Sequence, residues 1–556
     1  MNKKRNLIVV LFTFIVMSTT NAQINETQIQ KVDSLVISWN NPNSPGGVVG
    51  LMNNGKLLYL KAFGLASLDY DIPNTDSTLF NIASISKQIT AMGIVKLQLD
   101  GKLSIDDDIR KYIPEIPDFG YKITIRHLLH HTSGLRDFHS LLSLAGWRNG
   151  DLTSSEDLFR FINTQKDLNF NPGEEYMYSN TGYMLMAKII ETVTGENFKD
   201  WMHKTIIIPL GMIDTYIEDE SARVSKGNAT SYIIQTDNSF QRAVEFWNYT
   251  GSGNVHSTAK DLLIWLNNFS KPRKGWESAF NMLQTIDTLN NGKYLNYAFG
   301  IEVDSINGIR RISHGGGIGG FRSFVCTFPD EGISIAVLTN YSSSKPQPKV
   351  NSIAEIVLPN LTVKSDQNEK MYEGYKPVYN DNLSKYEGDY WDGDVARKIY
   401  VRNDTLWYFR RTGNESPLQY IGNDEFIIMP KAMWKVKFDF EKEKVKSMLV
   451  ESNKVKDPYT PFKPLEITTN YLSEFVGKYY SPELGAYYNF KIENDTLVGF
   501  HPRHGTFKTE ATVKQDYFKS NGPFQTIDFI RDKNSKVIGM RVSFDRVKNL
   551  WLEKQK

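Results

Sequence analysis

The sequence lacks the cysteines from which exported proteins build disulfides. Cys326 is the one cysteine among 556 residues, so an intramolecular disulfide is excluded and the fold must be stable through packing alone. This residue lies in the apolar run of residues 324–327. That position indicates a buried, unreactive thiol and argues against a cysteine nucleophile.

An excess of charge of one sign is also missing. The chain has 65 Lys and Arg against 63 Asp and Glu, which leaves a formal net charge of +2. Such a balance gives no electrostatic reason to expect nucleic acid or an anionic membrane as a partner.

Apolar runs long enough to span a bilayer are missing as well. The first residues are basic from Lys3 to Arg5, apolar over residues 7–17 and then small and polar up to Ala22, which is typical of a secretory signal peptide cleaved after Ala22. A membrane anchor is the alternative, but the apolar run falls short of the roughly 20 residues that a bilayer requires. Removal of residues 1–22 takes away three basic residues and no acidic one, so the net charge falls from +2 to −1. We therefore expect a secreted or periplasmic protein with no transmembrane segment after signal removal.

Two motifs of other hydrolases are missing. His127, His130 and His131 have helical spacing that could imitate a metal-binding pair, but no Glu stands between them as in H-E-x-x-H. No metal and no cofactor are predicted. The G-x-S-x-G elbow of α/β-hydrolases is also absent from the sequence.

The sequence does contain one candidate catalytic motif, the S-I-S-K string from Ser84 to Lys87. It stands where an extended stretch gives way to a long amphipathic helix that ends at Asp100-Gly101. Residues at i and i+3 share a helix face, so the amine can reach the hydroxyl. A serine hydroxyl needs an adjacent base, and an amine supplies one when burial or a neighbouring cation removes its proton. The pattern predicts a serine hydrolase.

The S-x-x-K string alone is weak evidence because it recurs at residues 257–260 and 342–345. The first of these copies has the pattern of a helix cap, and the second lies in a polar serine run. For Ser84 itself, a simple helix N-cap is the alternative interpretation.

A second candidate element is Tyr178-Ser179-Asn180, just before a predicted helix over residues 183–191. A phenol near a lysine can act as a base, and an Asn amide can hold both the lysine and a substrate carbonyl. The Y-x-N string recurs at residues 294–296 and 487–489. A buried loop tyrosine is therefore the alternative.

A third candidate element is the His314-Gly315-Gly316-Gly317 string, in a region whose pattern becomes strand-like. Glycines let a strand edge approach a substrate, and a backbone N–H there could join that of Ser84 to stabilise an oxyanion. A phosphate-binding loop is the alternative, but no Gly-Lys-Ser/Thr follows. Strands over residues 323–328 and 333–338, joined by a turn at residues 329–332, and a helix over residues 350–358 are predicted to follow.

The last third of the chain repeats itself. The string L-S-K-Y-E-G-D-Y from Leu383 matches L-S-E-F-V-G-K-Y from Leu472, and residues 403–406 match residues 494–497. We interpret the two copies as the parts of one closed barrel, because a lone half would leave an unpaired edge. A ligand-binding or substrate-gating module and a packing appendage remain equal alternatives. No residue in this region looks catalytic.

Taken in this order, the three elements resemble the signatures S-x-x-K, Y-x-N and K-T-G or H-x-G of class C β-lactamases, penicillin-binding DD-peptidases and related esterases. Strings at residues 123–135, 172–183 and 257–262 are also similar to that family. The resemblance covers residues 25–358.

The resemblance implies an α+β fold. We expect a β-lactamase/DD-peptidase-like domain over residues 23–359, with an antiparallel sheet flanked by helices and a helical lobe. A linker over residues 360–382 and an all-β, lipocalin-like barrel over residues 383–556 should follow.

The resemblance also implies roles for individual residues. Ser84 would be acylated, Lys87 and Tyr178 would move protons, and Asn180 would orient the lysine and the substrate. The N–H groups of Ser84 and Gly317 would form the oxyanion hole, with His314 and Gly316 supplying the H-x-G signature.

One departure from the family concerns the substrate. Efficient β-lactamases have K-T-G where this chain has His314 and Gly315, and a histidine with an ordinary pKa of about 6.5 is mostly neutral at pH 7. Carboxylate recognition should be weaker, although Arg322 is close enough in sequence to substitute.

The predicted function is an exported serine hydrolase acting on amide bonds of small peptides, such as D-amino-acid or cell-wall peptides. A carboxylesterase on the same site, a weak β-lactamase, and a non-catalytic protein that binds ligands through the barrel remain open.

Overall fold

The computed structural model describes residues 24–358, 361, 380, 382–393, 395–411, 414–430, 434–452, 456–463, 465–512 and 514–556. The predicted signal peptide and most of the predicted linker lie outside these residues, so both stay predictions.

The N-terminal domain combines fifteen described strands with ten described α-helices. The strands are β1 Gly47–Asn53, β2 Lys56–Phe63, β3 Leu65–Ser67, β4 Ile72–Pro73, β5 Phe80–Asn81, β6 Leu152–Ser154, β7 Tyr216–Ile217, β8 Tyr232–Ile234, β9 Phe240–Arg242, β10 Phe246–Asn248, β11 Val255–Ser257, β12 Glu302–Ile306, β13 Ile309–Ile318, β14 Phe321–Phe328 and β15 Ile333–Thr339. The helices are α1 Glu26–Leu35, α2 Ser86–Leu99, α3 Ile125–Leu129, α4 Phe138–Leu144, α5 Ser155–Thr164, α6 Asn180–Thr194, α7 Phe198–Met202, α8 Ala259–Asn267, α9 Glu277–Leu283 and α10 Pro346–Val357.

A six-stranded antiparallel sheet organises this domain, in the order β12-β13-β14-β15-β1-β2. Strands β1 and β2 form a hairpin, with Asn54 and Gly55 both at positive φ in the turn. The predicted pair of strands about residues 329–332 is confirmed as β14 and β15. Helices α1 and α10 pack on one face of the sheet and α8 on the other, so both faces are covered.

Helix α2 lies at the centre of the domain. The sequence predicts an amphipathic helix, but α2 is buried on all sides from Ser86 to Val95, because helices α6 and α9 pack against it as well. At Gly93 a Cβ would lie 2.7 Å from Met202 Sδ and 2.8 Å from Ile190 Cδ1, so the neighbouring elements approach α2 closely at this point. The helix ends beside Gly101, whose φ is +69°, as predicted.

The predicted burial of Cys326 is also confirmed. The residue lies on β14 and is inaccessible to solvent. Burial raises the pKa of its thiol to about 12, which keeps it protonated and unreactive at neutral pH.

The C-terminal region contains two closed barrels of eight strands each, and the expectation of one shared barrel is wrong. The first comprises β16 Gly388–Trp391, β17 Ala396–Arg402, β18 Thr405–Arg411, β19 Asn414–Gly422, β20 Glu425–Ile428, β21 Lys435–Glu441, β22 Lys444–Glu451 and β23 Lys456–Phe462. The second follows helix α11 Thr469–Ser473 and comprises β24 Gly477–Ser481, β25 Ala486–Glu493, β26 Thr496–His501, β27 Gly505–Ala511, β28 Tyr517–Ser520, β29 Thr526–Arg531, β30 Val537–Phe544 and β31 Val547–Lys554.

Each copy of the sequence repeat is a complete barrel. Strand β16 pairs with β23, and β24 pairs with β31, so neither sheet has an open edge. Each barrel is filled by its own aromatic side chains, around Tyr386 and Phe438 in the first and around Tyr479 and Phe529 in the second. Because one copy already closes, no pairing between the copies is needed.

The second barrel packs on the helical part of the N-terminal domain. Arg136 Nη1 lies 2.6 Å from Glu483 Oε2, and both side chains are buried. The Tyr488 hydroxyl donates to Leu144 O at 2.6 Å, and Ser140 Oγ donates to Asp545 Oδ2 at 2.6 Å. These contacts join the two domains through a buried ion pair and specific hydrogen bonds.

No helix in the described part of the chain is both long and apolar enough to cross a membrane.

We predict that Glu483→Ala destabilises the protein by about 3 kcal/mol or more, since removing one partner of a buried pair leaves the Arg136 charge uncompensated. The measurement is urea-induced unfolding followed by circular dichroism. Arg503→Ala is the matched control, because Arg503 pairs with Asp151 in the same interface but is 44% exposed, and an exposed pair contributes about 1 kcal/mol or less. Equal effects of the two variants would contradict the prediction.

Candidate active site

Ser84 lies in a 3₁₀ turn, Ala83–Ile85, immediately before α2. The helix thus begins two residues later than the sequence indicates. Within the turn Ser84 is partly exposed while its neighbours are buried. Ala83 has a φ of +49°, which is unfavourable for a residue with a side chain, and its N–H donates to Asn81 Oδ1 at 3.0 Å. The turn is therefore held in a strained conformation that presents the hydroxyl.

Lys87 is fully buried beside Ser84. Its Nζ lies 3.1 Å from Ser84 Oγ, 2.8 Å from Asn180 Oδ1 and 2.8 Å from the backbone oxygen of Ser252. Burial lowers the pKa of Lys87 well below its ordinary value; the nearby Asp137 carboxylate opposes this shift and the Arg546 guanidinium adds to it. The amine is thus shifted towards its neutral form.

The hydrogen-bond partners of Lys87 constrain the directions of its N–H groups. Asn180 Oδ1 and Ser252 O are carbonyl oxygens, which can only accept hydrogen bonds. They accept two hydrogen bonds from Lys87 Nζ, and the third contact of Nζ is with Ser84 Oγ. Once the amine is neutral, its lone pair is left for Ser84 Oγ. This arrangement is that of a base ready to receive the serine proton.

A buried carboxylate fixes Asn180. Asp137 Oδ2 accepts from Asn180 N at 2.7 Å and from Asn180 Nδ2 at 3.0 Å, so the Asn180 oxygen must point at Lys87. Asp137 Oδ1 accepts from His139 N and Ser140 N at the start of α4. The sequence analysis missed Asp137, which stands two residues after a family-like string. Its pattern could have indicated a helix cap but not its contact with Asn180.

Tyr178 stands over Lys87, with Nζ 4.8 Å from the ring centroid. Its hydroxyl is buried and makes no hydrogen bond of ordinary geometry with the described residues. Burial raises the pKa of Tyr178 above its ordinary value, although the nearby Ser84 hydroxyl acts in the opposite direction. The structure therefore favours a neutral phenol, which can donate or relay a proton, over a partly ionised base.

Aromatic side chains support Tyr178 from below. The ring of His131 lies 4.2 Å from that of Tyr178, and His131 Nδ1 accepts from Ser179 N at 3.1 Å. The sequence analysis considered His131 only within a rejected metal pattern, and it did not identify Tyr297, which packs on His131.

His314 belongs to this support. Its Nδ1 donates to Gly315 O at 2.6 Å, so its Nε2 accepts from the Tyr297 hydroxyl at 2.9 Å. Burial lowers the pKa of His314 to about 4, and Lys87 adds to this shift when it is protonated. The imidazole is neutral at pH 7, and it does not line the cavity at Ser84.

Gly316 brings β13 against the Ser84 turn. A Cβ at this position would lie 2.2 Å from Ile82 O, a distance that no side chain tolerates. At Gly317 the nearest atom to a Cβ would be Arg322 Cδ at 3.6 Å, so space is available there. Gly317 lines the cavity with Ser84, where its N–H is a candidate oxyanion donor.

The cavity has a volume of about 220 Å³ and is lined by four of the predicted residues, Ser84, Tyr178, Asn180 and Gly317. It is lined by Ala83, Ser84, His139, Tyr178, Asn180, Trp247, Tyr249, Ser252, Gly253, Gly317, Ile318 and Arg546. Lys87 lies directly beneath it through its contacts with Ser84 and Asn180.

Arg546 reaches this cavity from the second barrel, at the turn between β30 and β31. Its Nη2 lies 3.2 Å from Asp137 Oδ1, and its backbone oxygen accepts from Asn169 Nδ2 at 2.9 Å. The sequence analysis found no residue of the C-terminal region that looks catalytic, and it did not anticipate that one of them lines this cavity. No local signal marks Arg546, because only docking of the barrel places it there.

Arg322 lies outside the Ser84 cavity. It pairs with Gly317 across β13 and β14 and lines a neighbouring cavity. Its Nη1 donates to Gly319 O at 2.8 Å and to Phe321 O at 2.7 Å. Among the described residues, the guanidinium that lines the Ser84 cavity is that of Arg546, and Arg322 does not occupy the position expected of it.

Comparisons with known proteins agree with this geometry. A family model described as Beta-lactamase matches residues 30–357. Penicillin-binding protein 4* of Bacillus subtilis is 32% identical over 314 residues, which are 53% of this chain and 68% of that protein. A D-aminopeptidase of Gluconobacter oxydans is 28% identical over 302 residues, which are 54% of this chain and 56% of that protein, so the match spans little more than half of this relative.

A solved structure resembles nearly the whole chain. The octameric penicillin-binding protein homologue from Pyrococcus abyssi superposes with a TM-score of 0.54 and 21% identity, over 86% of this chain and 99% of that chain. At this identity the likeness shows the fold. Together the comparisons confirm the resemblance and the fold class that the three motifs predict.

We predict that Gly316→Ala removes most activity and that Gly317→Ala does not. The first change forces β13 away from Ile82 at a cost of about 1 to 3 kcal/mol, whereas the second keeps the N–H and meets no close atom. Both kcat/KM and the midpoint of thermal unfolding check this. A fully active Gly316→Ala protein would contradict the assigned contact.

We predict that Arg546→Gln moves the acidic limb of the pH–kcat/KM profile to higher pH. Arg546 lowers the pKa of Lys87, so its removal raises that pKa, and the neutral base is then populated only at higher pH. An interaction of about 1 kcal/mol corresponds to a shift of about 0.7 pH unit. Arg503→Gln, in the same barrel but distant from Lys87, is the control. An acidic limb at the wild-type pH in both variants would show that Arg546 does not affect the pKa of Lys87.

Proposed function

The chain belongs to the beta-lactamase family of serine hydrolases, and on this premise we propose that it hydrolyses amide bonds of small peptides through an acyl-enzyme on Ser84. The observation that carries the proposal is the geometry of Lys87, whose Nζ lies 3.1 Å from Ser84 Oγ and donates to two carbonyl oxygens. The names of the relatives, a D-aminopeptidase among them, support a peptide substrate with D-residues.

In the acylation step Lys87 Nζ takes the proton of Ser84 Oγ as the oxygen attacks the substrate carbonyl carbon. The N–H groups of Ser84 and Gly317 stabilise the oxyanion. The C–N bond then breaks, and the leaving amine receives a proton from Lys87 through the neutral Tyr178 hydroxyl. Tyr178 ends the step protonated, as it began.

In the deacylation step a water molecule takes the place of the amine. Lys87, neutral again, accepts a proton from this water through the same Tyr178 relay while the water oxygen attacks the ester carbon. The ester C–O bond then breaks, Lys87 returns its proton to Ser84 Oγ, and the carboxylic acid product departs. Asn180, held by Asp137, keeps the Lys87 nitrogen in place in both steps.

The charges around Ser84 argue against efficient β-lactamase activity. His314 is neutral, Arg322 lies in a neighbouring cavity, and the charge of Arg546 is already paired with Asp137. A penicillin carboxylate would find no free cation on the oxyanion strand. A carboxylesterase uses the same machinery and remains the second candidate.

Export is part of the proposal and rests on the sequence of residues 1–22 alone, which has the pattern of a cleaved signal.

We predict that a fluorophosphonate adds one adduct to the protein and that peptide mapping locates it on Ser84. Ser84→Ala should abolish the adduct. The matched control is Ser342→Ala, which alters the serine of another S-x-x-K string and should leave labelling of Ser84 intact. Intact mass spectrometry provides the measurement, and an unlabelled wild-type protein would favour a non-catalytic binding protein.

The same preparations separate peptidase from esterase. The proposal expects turnover of D-alanine-containing peptides, lost in Ser84→Ala. Turnover of p-nitrophenyl esters with no cleavage of any such peptide would replace the peptidase by a carboxylesterase.

A further inference from the structure

A second cavity adjoins the one at Ser84, and the Trp247 side chain lines both. Its volume is about 540 Å³. The turn between β13 and β14 forms part of its wall through Gly319, two residues beyond the candidate oxyanion donor Gly317. A substrate bound at Ser84 can therefore extend past the indole into this space.

Glu245 and Arg322 carry opposite charges and line this second cavity, but no direct ion pair joins them. Glu245 Oε1 lies close to Gly319, and a Cβ added at Gly319 would be 1.5 Å from this oxygen. Glu245 Oε1 nevertheless has no hydrogen-bond partner among the described residues. Arg322 donates through Nη1 to two backbone carbonyls, and its other N–H groups make no hydrogen bond within the described part of the chain. These two described side chains also form no ion pair within 4.0 Å of each other.

The other charged residue of this wall is already compensated. Arg242 Nη2 lies 2.8 Å from Asp69 Oδ2. Glu245 and Arg322 are therefore the charged side chains of this wall that still have unused hydrogen-bonding groups.

Burial without a partner is unfavourable for both groups. It raises the pKa of Glu245 to about 7 and lowers that of Arg322, and the attraction between the two charges opposes each shift only in part. A ligand that brought an ammonium group to Glu245 and a carboxylate to Arg322 would compensate both at once. A ligand with a single charge would leave one of them unpaired.

Resting on the proposed function, we propose that this second cavity is a substrate subsite for a zwitterionic end, meaning a free ammonium and a free carboxylate on one carbon. Glu245 binds the ammonium group and Arg322 the carboxylate. A short chain of methylene groups passes Trp247 and connects this end to the amide that Ser84 attacks.

The test uses amides that differ only at the far end. In one series, p-nitroanilides of hexanoic acid, 6-aminohexanoic acid, adipic acid and 2-aminoadipic acid (through its side-chain carboxyl) place a neutral, cationic, anionic or zwitterionic end on the acyl side. In the other, N-hexylacetamide, N-acetylcadaverine, 6-acetamidohexanoic acid and Nε-acetyl-lysine place the same ends on the amine side.

We expect kcat/KM of the wild-type protein to be about tenfold or more higher for the zwitterionic than for the neutral member of at least one series, as charge-assisted hydrogen bonds allow. Glu245→Gln and Arg322→Gln should each lower that ratio about tenfold. Glu220→Gln is the matched control, because Glu220 is 57% exposed and pairs with Arg223 away from both cavities. It should leave the ratio unchanged.

The outcomes separate this proposal from the proposed function. Equal kcat/KM for all four ends in both series, with the neutral amides cleaved, overturns the subsite and leaves the peptidase in place. A preference for the cationic or the anionic end alone also overturns it. No cleavage of any amide, together with a protein that fluorophosphonate does not label, overturns the proposed function instead. Because the ratio is measured within one variant, partial unfolding of Arg322→Gln does not imitate the expected result.

Discussion

The site depends on a lysine amine held in the protein interior without a direct carboxylate partner. Lys87 contacts carbonyl oxygens of Asn180 and Ser252 in place of an acid, so burial shifts it towards the neutral amine. A neutral amine is a base, and the hydroxyl group within its reach is that of Ser84. The surrounding elements hold this arrangement in place. The 3₁₀ turn before α2 carries Ser84 and α2 carries Lys87, β13 supplies the oxyanion strand, and Asp137 fixes the amide that must point towards the amine.

The balance of charge around that amine crosses a domain boundary. Asp137 favours the protonated lysine and Arg546 disfavours it, and the two face each other at 3.2 Å. Because Arg546 belongs to the second barrel, docking of that barrel tunes the base as well as closing the cavity. The buried Arg136–Glu483 pair holds the same interface. This evidence favours a role for the second barrel in the site over a packing appendage, whereas no described contact of this kind links the first barrel to Ser84.

Much of the fold was predictable because its signals are local. The β1–β2 turn requires positive φ at Asn54-Gly55, the apolar strands β14 and β15 pair about a short polar turn, and Gly101 ends α2. The errors arose where tertiary contacts override local pattern. Helix α2 is covered on every side by partners that the sequence does not reveal. The repeat near Leu383 and Leu472 marked two copies correctly, but the number of strands in a copy decides whether it closes alone.

The residues of the candidate site fall into the same two groups, those that local patterns predict and those that only tertiary contacts place there. Ser84, Lys87, Tyr178, Asn180 and Gly317 could be named in advance because their chemistry requires particular residue types in short strings, and the fold brings them together at one cavity. Arg546, Asp137 and Trp247 could not, and Arg322 lies in a different cavity from the one expected. Short-range patterns encode which groups are able to react, since those depend on a few neighbouring residues. Protonation states and cavity walls depend on burial and on charges distant along the chain, so they are established when the domains pack.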